Sequence, residues 1–130
     1  MNKVMLVGNL GTEPVIRYTK DGQPVVSFSM ATNKRWKDQL TGELKQKTEW
    51  HKVVTFKSIA ERAKSYLKRG LSVKIEGEIR PKRWMDENGV MHFGYEIVAH
   101  DFELVGKRER REVLTYSSLK EKKRNLKKVE

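Results

Sequence analysis

The sequence predicts an all-β domain: a five-stranded barrel with one short helix between its third and fourth strands, plus long β-hairpin loops. Three observations lead there. Segments in which apolar and polar residues alternate with period two recur through residues 1–106. A single segment, "FKSIAERAKSYLKRG", has helical spacing instead. The resulting order is strand, strand, strand, helix, strand, strand.

Each element has its own signal. "KVMLVGNL" is a short apolar run ending at glycines and reads as the first strand. Asp21-Gly22 is a turn signal. In "QPVVSFSMATN", Val26, Phe28 and Met30 share one face against Ser27 and Ser29. "TEWHKVVTF" reads as a strand with Trp50, Lys52, Val54 and Phe56 on one side and His51, Val53 and Thr55 on the other. Parity alone leaves open which set is the core. The helical segment offers a capping box, Ser58 with Glu61, and places Ile59, Ala63, Tyr66 and Leu67 on one face before Gly70 stops it. In "SVKIEGEIRPKRW", Val73, Ile75 and Ile79 oppose Lys74, Glu76, Glu78 and Arg80. Asn88-Gly89 is a hairpin signal. "GYEIVAHDFELV" has irregular parity, which predicts a bulge. A meander with a helix between the third and fourth strands is the pattern of the OB-fold.

Composition limits function. The chain has 130 residues, enough for one domain, and no cysteine, which excludes disulfides and thiolate chemistry. No apolar run reaches the roughly 18 residues of a membrane span, and the N-terminus does not read as a signal peptide, so a cytoplasmic protein is expected. His51, His92 and His100 have no metal-ligand spacing, and "GNLG" lacks the length and ending of a phosphate loop. No catalytic constellation, metal or cofactor is expected. The net charge of +11 favours a polyanionic partner. Residues 107–130 carry ten basic and four acidic residues and are expected to form a basic, mobile tail after an OB domain over 1–106.

The tryptophans stand among cations: Trp36 in "NKRWK", Trp50 in "QKTEWHK", Trp84 in "RPKRW". Unpaired bases stack on exposed rings while Lys and Arg track the phosphates, so the pattern points to single-stranded nucleic acid. Trp84 shares parity with Arg80 and Lys82, away from Val73 and Ile75, and a two-residue Asn88-Gly89 turn would put Phe93 directly across from it. Trp36 falls on the core parity of Phe28 and Met30 if its strand is regular; a bulge or strand end near Asn33 would free it. A long polar loop, tipped by Thr41-Gly42, joins the second and third strands, with Lys34, Arg35, Lys37, Lys45 and Lys47 along its arms. Those lysines and arginine, with Lys52, Arg80, Lys82 and Arg83, are the candidate phosphate contacts; Trp36, Trp50, Phe56, Trp84 and Phe93 are the candidate stacking rings.

"NKVMLVGNLGTEP", "TGELKQKTEWHKVVTF" and "AERAKSYLKRGLSVKIEGEIRPKRW" resemble the bacterial single-stranded DNA-binding protein family over residues 1–106. The resemblance implies sequence-independent binding of single-stranded DNA in replication, recombination and repair, base stacking by Trp36, Trp50, Phe56 and Trp84, a homotetramer, and a place for His51 near a subunit interface. The family commonly ends in a flexible linker and an acidic tip that recruits other enzymes. This chain ends "EKKRNLKKVE", with the opposite charge, so recruitment by that route is not expected. Two other readings share these features: an OB-fold primosomal assembly factor for replication restart, and an RNA-binding OB module.

Overall fold

The computed structural model describes residues 1–106 and the backbone of Val113–Leu114. Seven strands and one helix follow in the order β1 (Val4–Leu10), β2 (Val15–Tyr18), β3 (Pro24–Lys37), β4 (Leu44–Phe56), α1 (Lys57–Tyr66), β5 (Ser72–Met85), β6 (Met91–Val105) and β7 (Val113–Leu114). Strands β1, β5, β6, β4 and β3 pair in that order, and β1 returns to β3 through Asn9↔Ala31 and Leu10↔Met30, which closes a five-stranded barrel. The closing contact needs Gly8: a Cβ there would run into the Ala31 carbonyl. The OB-type barrel expected from the element order is present, with the helix between its third and fourth barrel strands. Strand β2, which the alternation analysis did not pick out, pairs along the outside of β3.

The barrel interior follows the period-two rule. Val26, Phe28 and Met30 of β3, Val53 of β4, Val73 and Ile75 of β5, and Ile97, Ala99 and Phe102 of β6 are buried together. Ala60, Ala63 and Leu67 of the helix side close the same cluster. The expected bulge lies between Glu76↔Asp101 and Gly77↔Ala99, where His100 has no partner on β5.

Local expectations are corrected at three places: the helix ends, the β3–β4 connection and the β5–β6 turn. The capping box is not used: Phe56 is the N-cap, without a side-chain bond, and Ser58 lies inside the first turn. The chain enters the helix through Lys57 at φ 53, so strand and helix meet without a loop. The stop signal at Gly70 lies beyond the C-cap, Leu67. The polar segment between β3 and β4 is mostly not a loop: pairing continues without a register shift from Val25↔Phe56 out to Lys37↔Leu44. Only residues 38–43 turn, held by the Asp38 carboxylate accepting from the Leu40 and Thr41 N–H groups and by Gly42 at φ 74.

The third correction sets the faces of the β5–β6 hairpin. Asn88-Gly89 does not form a two-residue turn. Asp86 N donates to Val90 O, Gly89 N to Asp86 O, and only Gly89 has positive φ, at 77. This is a turn with a glycine bulge, stabilised by the Asp86 carboxylate accepting from the Asn88 and Val90 N–H groups. It shifts the register by one residue. Trp84 faces His92, and Phe93 faces Arg83. Because a one-residue slip moves a side chain to the other face, Phe93 stands on the reverse of the hairpin from Trp84. The expectation of a mobile tail falls outside the described residues, except that Val113–Leu114 pairs with Leu104 and Val105.

Candidate nucleic-acid interface

Strand parity builds the site. In β4, Val53 and Thr55 point inward, and Trp50, Lys52, Val54 and Phe56 point out. Val54 pairs with Val98 on β6, and from there cross-strand partners carry the same face to Arg80↔Glu96, Lys82↔Gly94 and Trp84↔His92. One continuous outer face therefore presents Trp50, Phe56 and Trp84 interleaved with Lys52, Arg80 and Lys82. Val54, an apolar residue on this cationic face, is only 7% exposed, because it lies in the floor between β3 and β6.

Phe56, Lys52, Arg80 and Lys82 line one groove of about 590 Å³ with Arg17, Ser27 and Glu96. The Arg80 guanidinium carbon lies 5.3 Å from the centre of the Phe56 ring, a cation–π contact. At one end Trp50 is 63% exposed, and its ring rests against Gly11, where any Cβ would collide with it. At the other end Trp84 stacks on His92, with ring centres 5.4 Å apart and planes 16° from parallel. The benzo edge of Trp84 lies over Gly94, where a Cβ would sit 3.1 Å away. His92 Nε2 is 2.7 Å from Asp86 Oδ2. The His92 bond, followed by the Val90 N–H, holds the Asp86 carboxyl below its usual pKa.

The β3–β4 hairpin runs past the barrel as an arm, and Trp36 lies on it. No bulge intervenes, so Trp36 keeps the parity of Phe28 and Met30, yet it is 41% exposed. The barrel no longer covers that face so far out. Lys34, Lys45 and Lys47 share this face; Arg35 and Lys37 lie on the opposite one with Trp50. Lys45 pairs with Asp38 at 2.8 Å, and this pair is the main reason the Asp38 carboxyl is held below its usual pKa. Lys47 pairs with Glu49 at 3.1 Å.

The remaining expected residues lie elsewhere. Phe93 and Arg83 form their own cation–π pair, 5.4 Å apart, on the reverse face of the β5–β6 hairpin. Their neighbours there are Ile79, Pro81, Met85, Met91 and Tyr95, so this face is largely apolar. His51 Nε2 lies 2.8 Å from Thr32 Oγ1 and borders a small cleft with Ile79, Tyr95 and Ile97. Among the described residues no group of His, Asp and Glu is arranged to hold a metal. Sequence reasoning missed Glu96, His92 and the two glycines beneath the tryptophans. Only the hairpin register puts Glu96, His92 and Gly94 on the cationic face, and only the barrel closure brings Gly11 under Trp50.

The model of the single-strand binding protein family matches residues 1–105. The chain belongs to that family. It is 43% identical over 109 residues to single-stranded DNA-binding protein 1 of Xylella fastidiosa (strain 9a5c), covering 84% of this chain and 80% of the relative. The Plasmodium falciparum SSB, solved in complex with ssDNA, superposes with a TM-score of 0.75 at 34% identity, over 82% of this chain and 96% of that one. A deletion mutant of the Thermus aquaticus single-stranded DNA binding protein shares the fold, with a TM-score of 0.71 at 22% identity over 83% of this chain and 52% of that one. No described helix is long and apolar enough to cross a membrane.

Proposed function

We propose that this chain binds single-stranded DNA without sequence preference and coats it during replication, recombination and repair. The observation that carries the reading is the outer face of β4, β5 and β6. Three rings stand on it with three cations between them. Successive bases stack on Trp50, Phe56 and Trp84, each contributing roughly 1–3 kcal/mol. Lys52 and Lys82, with Lys34, Arg35, Lys37, Lys45 and Lys47 of the arm, balance phosphate charge. Trp36 extends the path along the arm. The role is binding and not catalysis, and it places the protein in the cytoplasm with the nucleoid. Binding only the open strand, it melts hairpins by mass action.

The reverse face of the β5–β6 hairpin supports self-association. Ile79, Met85, Met91, Phe93 and Tyr95 are all exposed there, Phe93 at 70%, and contiguous apolar surface of this kind marks a contact with another protein. Phe93 is therefore assigned to association within a homotetramer and not to base stacking, and His51, beside Tyr95 in the neighbouring cleft, to the same association.

Titration with oligo-dT tests the reading. Tryptophan emission should be quenched, and log K should fall linearly with log salt. Absence of quenching, or affinity indifferent to salt, refutes it. Preference for oligo-rU over oligo-dT would transfer the same face to RNA. Light scattering should give four copies per particle; a stable dimer would favour an assembly factor.

A further inference from the structure

Glu96 is an acid in the middle of a groove otherwise built for a polyanion. It is only 8% exposed. It lies directly across from Arg80 in the β5–β6 pairing. Arg80 Nε donates to its Oε1 at 3.1 Å, Arg80 Nη2 bonds the same oxygen, and Lys82 Nζ lies 3.5 Å from Oε2. Both carboxylate oxygens are thus occupied by the two cations that the sequence assigns to phosphates. A buried carboxylate requires such partners, and in return it fixes them. Arg80 is fixed over the Phe56 ring.

We infer that Glu96 is a positioning residue that turns Arg80 from a phosphate contact into part of a base platform. The guanidinium bonded to Glu96 and lying over Phe56 is a flat, locally neutral surface, as a base requires. The carboxylate also repels phosphate from the groove floor, leaving the backbone to the rim cations. The pair Arg80–Glu96 carries no net charge, so Lys82, with Lys52 and Arg17 of the same groove, supplies the positive charge there.

The inference rests on the DNA-binding reading, and two variants test it separately from that reading. Each phosphate neutralised adds about 0.7 to the slope of log K against log salt for a single strand. Glu96→Gln keeps the shape and frees Arg80 for a phosphate. Lys82, held only at 3.5 Å, already serves as a rim cation, so the slope for oligo-dT should steepen by about 0.7, the one phosphate gained by Arg80, and affinity at low salt should rise. The double variant Arg80→Gln/Glu96→Gln removes a neutral pair. It should bind more weakly at every salt concentration, with the slope of the parent chain. An unchanged slope in Glu96→Gln overturns the inference. So does a double variant whose slope falls by about 0.7, because Arg80 would then be an ordinary phosphate contact. Should Glu96→Gln not fold by circular dichroism, the double variant, which leaves only the half-exposed Lys82 without its partner, decides alone. If the unaltered chain fails to bind oligo-dT, the functional reading fails instead, and the two failures are distinct.

Discussion

Replacing Trp50 with alanine removes a ring that stability hardly needs and binding should need. The ring is 63% exposed, and its buried contact is chiefly the face resting on Gly11. Loss of so exposed a side chain should change folding stability by no more than about 0.5 kcal/mol. One base stacked on its open face is worth roughly 1–3 kcal/mol. At about 1.4 kcal/mol per tenfold, that is a Kd weaker by about fivefold to about 150-fold. A ring neutralises no phosphate, so the salt dependence should keep its slope and lose only its intercept. Fluorescence polarisation of labelled oligo-dT is the suitable assay, because the substitution removes one of the three tryptophans that quenching reads. Trp50→Phe should recover most of the affinity, since a smaller π-face still stacks. A change under twofold in a folded Trp50→Ala variant, or an altered slope with the intercept kept, would refute the stacking role.

Gly11→Ala should weaken oligo-dT binding without unfolding the chain: the new methyl collides with the Trp50 ring, and Gly11 does not occupy the positive-φ region. Retained affinity would show that the ring's seat is irrelevant. Ile75→Ala, at a fully buried barrel position, should cost about 2–5 kcal/mol in urea denaturation; a loss below about 1 kcal/mol would mean the barrel collapses around the gap. Asp86 has a folded pKa below its ordinary 3.8, through the His92 bond and then the Val90 N–H. Its contribution to the β5–β6 turn is therefore present above the unfolded value and lost as pH falls through the folded one. In an NMR acid titration the Asn88 and Val90 amides should shift with a midpoint below 3.8, and in Asp86→Asn that transition should vanish; a midpoint at or above 3.8 contradicts the geometry. Deleting residues 107–130 removes a net charge of +6 and should flatten the salt slope; an unchanged slope would assign the tail to something other than DNA.

Alternation was enough to locate the barrel because most inward positions are filled by Val, Ile, Leu, Phe or Met, and it correctly announced the bulge at His100. It could not show β2, whose four residues are all exposed and carry no alternation of burial. It failed in a more instructive way at the two long hairpins. Parity says which side of a strand a residue takes, and burial follows only where something covers that side. Beyond the barrel rim nothing among the described residues does, so Trp36 keeps core parity and is exposed, and Phe93 and Tyr95 do the same on the other hairpin. Conversely Val54 has outer parity and is buried, because neighbouring strands rise beside it.

The same reasoning explains why the candidate site divided as it did. Trp50, Lys52 and Phe56 lie in a strand whose register no turn can disturb, since its pairing with β3 runs unbroken over thirteen residue pairs. Phe93 depended on one turn. An Asn-Gly pair read as a two-residue turn sets one register; the glycine bulge that Asp86 stabilises sets the other. That single step exchanges Phe93 for His92 beneath the Trp84 ring, and it brings Glu96 opposite Arg80 in place of Ile97. A small turn thus decides both what supports Trp84 and which charge lies in the groove floor.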